Sequence, residues 1–269
     1  MKRAVTSLLV LLVVVGAACA DPAPSGDGAT DAAAPVPPPQ SAFTIADQGV
    51  TNVPTEIQAG INELTVTNEG EDKHFPAIAR INDGVKKQEV ALALVDQDFE
   101  TFFTSSMVGG AFLEAGKLNL APGKSATLTT ELTEGTYILA DPDSKRFEPG
   151  YFEVGPAGDE EVATPDAEFE IVESEYAIEM PAEIPAGSHS YSLTNAGEQP
   201  HELIISEKGN EESEAAYALA PLAGSTSWVT FDLPPGKYIV ACYFPDLSGG
   251  KMGRKSHFDL GMKTKFTVK

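Results

Sequence analysis

Five residues recur in the same order at one fixed distance. Pro54, Gly60, Asn68, Gly70 and His74 stand 127 positions before Pro181, Gly187, Asn195, Gly197 and His201, and Glu-Ile-x-Ala-Gly occurs as 56–60 and again as 183–187. The chain is therefore two copies of one unit, and a fold that suits one copy must suit the other. Further on, Leu132-Thr-Glu-Gly135-Thr-Tyr137-Ile matches Leu233-Pro-Pro-Gly236-Lys-Tyr238-Ile at an offset of 101, so the first copy carries 26 additional residues between these landmarks. The insertion falls within 79–120. There Val90, Leu94, Val95, Phe99 and Phe102 stand at helical intervals inside 85–103, which predicts a short amphipathic helix covering one side of the first copy.

Outside the insertion the period is two. Apolar residues alternate with polar ones over 128–132, at Val229, Phe231 and Leu233, and at Thr264, Phe266 and Val268. Short alternating runs, separated by Gly and Pro turns about ten residues apart, predict an all-β chain of two β-sandwiches in tandem. In Lys237-Tyr-Ile-Val-Ala-Cys242 the side chains of Tyr238, Val240 and Cys242 share one face, which places the thiol at the end of a core.

The second copy gathers soft and borderline metal donors. His201 closes Asn195-Ala-Gly-Glu-Gln-Pro-His201, Cys242 ends its strand, and His257 precedes Met262 by five residues in His257-Phe-Asp-Leu-Gly-Met262. A thiolate, two imidazoles and a weak thioether form the donor set of a mononuclear blue copper centre. These residues resemble those of the cupredoxin family, the relatives of plastocyanin and azurin, over about the last hundred positions. The resemblance implies Greek-key sandwiches, His201, Cys242 and His257 as equatorial ligands, Met262 as the axial one, and one type 1 copper ion. It also implies an exposed ligand imidazole in an apolar docking patch, for which Phe258 and Leu260 are candidates. The simplest members hold only a few residues between Cys and the second His; here fourteen intervene, Tyr243 to Ser256, and Met252 among them is a second candidate thioether.

The first copy keeps His74, but Asp141 stands where the thiol should be, and 142–154 contains no His, Cys or Met. It should bind no blue copper, and His74 reads as a strand-end residue with a hydrogen-bond partner. His201-Glu202 does not start a zinc-peptidase helix, because Ile205 occupies the place of the second His. Asp141-Pro-Asp143 lacks the Gly and later Glu of a calcium loop. His189 has no assigned role.

At the amino terminus Lys2 and Arg3 precede an apolar run too short to span a bilayer, with the plan of a secretory signal over 1–18. It ends in Gly16-Ala-Ala-Cys19, which resembles a lipobox with Cys19 as the lipidated residue. Ordinary cleavage after Ala20 is the alternative. A Pro/Ala-rich tether over 19–42 follows, with Val36 its one large apolar residue. The expected domains are then a degenerate copy over 43–154, a linker over 155–166 and the metal-binding copy over 167–269. With Cys19 lipidated or removed, Cys242 is the only thiol and no intramolecular disulfide forms.

The formal charge of −22 becomes −24 once Lys2 and Arg3 leave, which repels nucleic acid and favours a basic partner. These features predict an exported, membrane-tethered protein of the bacterial cell envelope, in the periplasm or on the outer face. It would carry single electrons between redox proteins without a small-molecule substrate. Copper carriage or storage, and a metal-free interaction module, are the alternatives. Four histidines do not furnish a second His-rich centre, so the sequence predicts a chain that is not an enzyme.

Overall fold

The structure, a computed structural model, describes residues 34–114, 116–144 and 146–269; the signal segment and Cys19 lie outside them. The first copy contributes β1 (Gln40–Ala46), β2 (Gly49–Asn52), β3 (Ile57–Gln58), β4 (Gly60–Asn68), β5 (Ala77–Ile81), α1 (Lys87–Asp96), α2 (Phe99–Ser105), β6 (Ser106–Ala111), β7 (Ser125–Leu132), β8 (Gly135–Ala140) and β9 (Gly150–Gly155). The second contributes β10 (Phe169–Ser174), β11 (Ala177–Glu179), β12 (Glu183–Ile184), β13 (Gly187–Asn195), β14 (Glu202–Glu207), β15 (Asn210–Leu219), β16 (Thr226–Leu233), β17 (Gly236–Ala241) and β18 (Lys263–Val268). No helix among the described residues is long and apolar enough to cross a membrane.

The architecture is all-β, two sandwiches in tandem, and the two share a sheet. Its eight strands run β11-β10-β13-β16-β7-β4-β1-β2, with the copies meeting where β16 pairs antiparallel with β7 at Ser227–Thr130 and Trp228–Thr129. One half of that sheet faces the five-stranded sheet β3-β9-β8-β5-β6, the other faces β12-β18-β17-β14-β15. Alternation decides which side chains fill each gap. Phe43, Leu64, Val66 and Leu128 meet Ile78, Leu139 and Phe152 in the first sandwich. Ile171, Leu193 and Phe231 meet Leu203, Val240 and Phe266 in the second. Residues 35–269 form one compact unit.

Three details differ from the sequence-based expectation. The insertion is two helices: Gln97 adopts the left-handed conformation at φ 55°, and the Asp98 side chain caps the next helix by accepting from the Thr101 amide. Val95, counted on the apolar face, is exposed. The folded chain also begins inside the segment read as tether, since β1 starts at Gln40 and the Val36 amide donates to the Glu161 carbonyl.

Candidate metal centre

The repeated Asn-x-Gly turn has one physical basis in both copies. The Asn195 amide donates to the Gln199 and Pro221 carbonyls while its oxygen accepts from the Gly197 amide. Asn68 does the same with Asp72, Leu120 and Gly70. Each glycine lies against a carboxylate, Glu175 or Asp47, that a Cβ would strike. Those carboxylates accept backbone N–H groups of the turn, Gln199 in one copy and Glu71 and Asp72 in the other. The turn thereby delivers His201, and His74, to the start of the next stretch of chain.

Cys242 follows β17, with Tyr238 and Val240 on its face and all three buried. A bridge between Pro245 and Ser256 closes the long loop, and the His257 amide donates to the Phe244 carbonyl at 2.8 Å. Fourteen intervening residues thus form a closed excursion that returns His257 to the strand end. Met262 sits between the other two, its amide on the His257 carbonyl and its carbonyl accepting from the Cys242 amide. It is completely buried, whereas Met252 is 39% exposed.

His201, Cys242 and His257 converge, all fully buried. The two Nδ1 atoms are 3.0 Å apart, and Cys242 Sγ lies 3.9 Å from that of His201 and 3.5 Å from that of His257. Every edge of this triangle is shorter than two metal–ligand bonds of about 2.0 Å to nitrogen and 2.3 Å to sulfur, so one cation can touch all three donors. The protonation of the two imidazoles suits the same end. Burial, then the neighbouring His257, hold His201 down to about 4. Burial likewise lowers His257. Burial, followed by the carboxylate of Glu173, pushes the Cys242 thiol well above its ordinary value. A thiolate at that depth needs a cation, and the Glu202 amide already points at the sulfur from 3.4 Å.

Residues that the sequence reading passed over lie against the imidazoles. His257 Nε2 lies 3.3 Å from Gln199 Oε1, which also accepts from the Leu247 amide. Glu175 Oε1 lies 3.8 Å from His201 Nε2. Burial raises Glu175, but the Gln199 and Glu198 amides outweigh it and keep the carboxyl below its usual range. The fixed offset of 127 would not have found it, because Asp47 maps onto Ser174 and its structural counterpart Glu175 stands one residue further on. The expected exposed imidazole is corrected: His257 is covered by Gln199 and by the Tyr176 ring at 5.5 Å. His189 is paired with Glu168 at 2.9 Å.

In the first copy the corresponding space is filled. His74 Nδ1 and Asp141 Oδ2 are 2.8 Å apart, both buried, with Phe147 packed on the imidazole. A carboxylate where the second copy has sulfur gives this His a direct partner.

No family model and no curated protein matches the sequence. Solved structures do. A multicopper oxidase is 16% identical, with 86% of this chain and 88% of that one covered and a TM-score of 0.26. Dithionite-reduced auracyanin from Roseiflexus castenholzii is 22% identical over 37% of this chain and 94% of its own, TM-score 0.28. A copper nitrite reductase from Nitrosomonas europaea is 13% identical over 86% and 93%, TM-score 0.24. These are cupredoxin-fold proteins, and the His-Cys-His group of this chain fits a type 1 site. One expectation is overturned. The sequence predicted a chain that is not an enzyme, yet two of these three similar structures are enzymes. Counting histidines bounds only the centres that one chain builds alone, since an assembly can draw ligands from several chains.

Proposed function

We propose that this chain is a type 1 copper protein of the cupredoxin family, and that one copper ion, held by His201, Cys242 and His257 with Met262 as the fourth donor, carries single electrons to and from a redox protein. The buried triangle of two Nδ1 atoms and one thiol supports this most directly, because two neutral imidazoles and a thiol at 3.0, 3.5 and 3.9 Å form a ready donor set. Copper, when bound, supplies a one-electron couple. The residues supply the rest. Gln199 fixes the orientation of the His257 ring, the Glu202 amide polarises the sulfur, and the apolar wall of Val240, Phe244 and Met262 keeps water out. A ring held on both sides, as His257 would be between the ion and Gln199, moves little between oxidation states.

The basic pair at residues 2 and 3, the apolar run and Cys19 support export to the cell envelope and a lipid anchor at that cysteine, with the segment up to β1 as spacer. Voltammetry of the copper-loaded chain tests the electron-transfer reading. A reversible one-electron wave is expected; a bound copper that shows no reversible wave would favour carriage or storage.

A further inference from the structure

Charge in this chain is distributed against its own average. Of 18 basic and 40 acidic side chains, seven basic and two acidic stand in residues 237–269, a formal excess of +5 in a chain of −22. This is the segment that supplies Cys242, His257 and Met262. Lys237, Lys251, Arg254, Lys255, Lys263 and Lys265 are exposed, and none forms an ion pair among the described residues; the seventh, Lys269, pairs with Glu183. The two acids are committed to local turns. Asp246 accepts from Ser248 and from the Tyr176 hydroxyl, and Asp259 accepts from the Ser256 amide and hydroxyl.

Two of these lysines edge an apolar groove. Its lining is Ile239, Tyr243, Phe258, Lys263, Thr264 and Lys265. Tyr243 and Phe258 stack with centroids 4.8 Å apart, and Lys263 Nζ stands 3.6 Å over the Phe258 ring. Tyr243 at 41% and Met252 at 39% are two of the four large hydrophobic residues exposed among the described residues, and both lie in the loop between Cys242 and His257. The groove is covalently next to the candidate metal centre, because Tyr243 follows Cys242 and Phe258 follows His257. Both imidazoles are buried, whereas this aromatic pair, one residue beyond Cys242 and His257, lines a surface groove.

Resting on the electron-transfer reading above, we infer that this groove and its basic rim form the docking surface for the redox partner, and that the partner offers an acidic protein face around an apolar spot. The charge of the whole chain argues for a basic partner, but charges more than about 8 Å away are largely screened at physiological ionic strength. The local excess therefore governs the docked complex. The aromatic pair of Tyr243 and Phe258 inside a polar, charged rim also matches the aromatic-rich, polar-rimmed make-up of a protein interface.

The test has a metal-free arm and a loaded arm. A labelled glutamate oligomer should bind the metal-free full chain at low ionic strength and be released by salt. Lys263→Glu with Lys265→Glu should weaken binding at least about tenfold, while Lys73→Glu, an exposed change in the first copy, should leave it unchanged. With copper bound, oxidation by anionic hexacyanoferrate(III) should slow as salt is added. Absence of oligomer binding, equal binding by the double variant, or acceleration by salt overturns the proposal. So does attachment to phosphatidylglycerol vesicles that the oligomer cannot displace, which would make the surface a membrane contact. Failure to take up copper would sink the electron-transfer reading alone, since the oligomer arm judges the surface without metal.

Discussion

Glu173 occupies the place that Ile45 fills in the first copy: each stands opposite the turn asparagine in the parallel register, Asn195 or Asn68, and each is fully buried. Both carboxylate oxygens lack a hydrogen-bond partner among the described residues. Burial, reinforced by Glu202, raises this acid to about 8. Between about pH 4.5 and 8 the folded state keeps a proton that the unfolded chain releases, so stability falls as pH rises through that window. His201 acts oppositely. Held at about 4, it stays neutral where an unfolded histidine takes up a proton, so stability falls as pH drops from about 6.5 to 4. Glu173→Ile should therefore stabilise the metal-free chain at pH 8 by on the order of 4 kcal/mol and gain far less at pH 4. Denaturant unfolding at both values checks this, and an equal gain at both would mean that Glu173 is not protonated in the fold. The two methionines separate just as sharply. Met262→Gln should lower the reduction potential of the copper-loaded chain and shift its spectrum, because a harder oxygen replaces a soft thioether. Met252→Gln, at an exposed position, should leave both unchanged.

At the scale of elements, the loop after Cys242 and the helices of the insertion hold the centre from outside. Gln199 joins the loop to His257 by accepting from the Leu247 amide beside the imidazole. Gln199→Ala should destabilise the chain by about 1–3 kcal/mol and speed hydrogen exchange at the Leu247 amide; unchanged exchange would show that the bridge at Pro245 and Ser256 suffices. Phe103 of α2 meets Phe244, two residues past the thiol, edge-on at 5.0 Å. The strands and the copy that gathers the His-Cys-His group were legible because period-two alternation survives in a sheet with one face in the core, and because donor chemistry is residue-specific. The break at Gln97 was not, since the apolar interval continues across it while the backbone turns on a left-handed residue and an Asp98 cap. The cover over His257 was equally hidden. Fourteen loop residues with few apolar side chains do not announce where they fold back, and Gln199 and Glu175 act through position alone.

At the scale of the whole molecule, duplication predicts two alike sandwiches, and the seam between β7 and β16 makes them one body with a continuous eight-stranded sheet. That seam rests on two residue pairs, which leave no mark in either sequence copy. Divergence then concentrated at matching points of the repeat. Asp141 closes one site onto His74, Cys242 stands with two imidazoles in the other, and Ile45 became Glu173, or the reverse. The central claim is that one copy alone builds a copper–thiolate centre, and the absorption spectrum of the full chain titrated with cupric ion tests it most directly. An intense visible band that saturates at one copper per chain, and that Cys242→Ala abolishes without loss of the folded β signal in circular dichroism, is the predicted result. A chain that stays colourless at saturating copper, or keeps its band without Cys242, would contradict it.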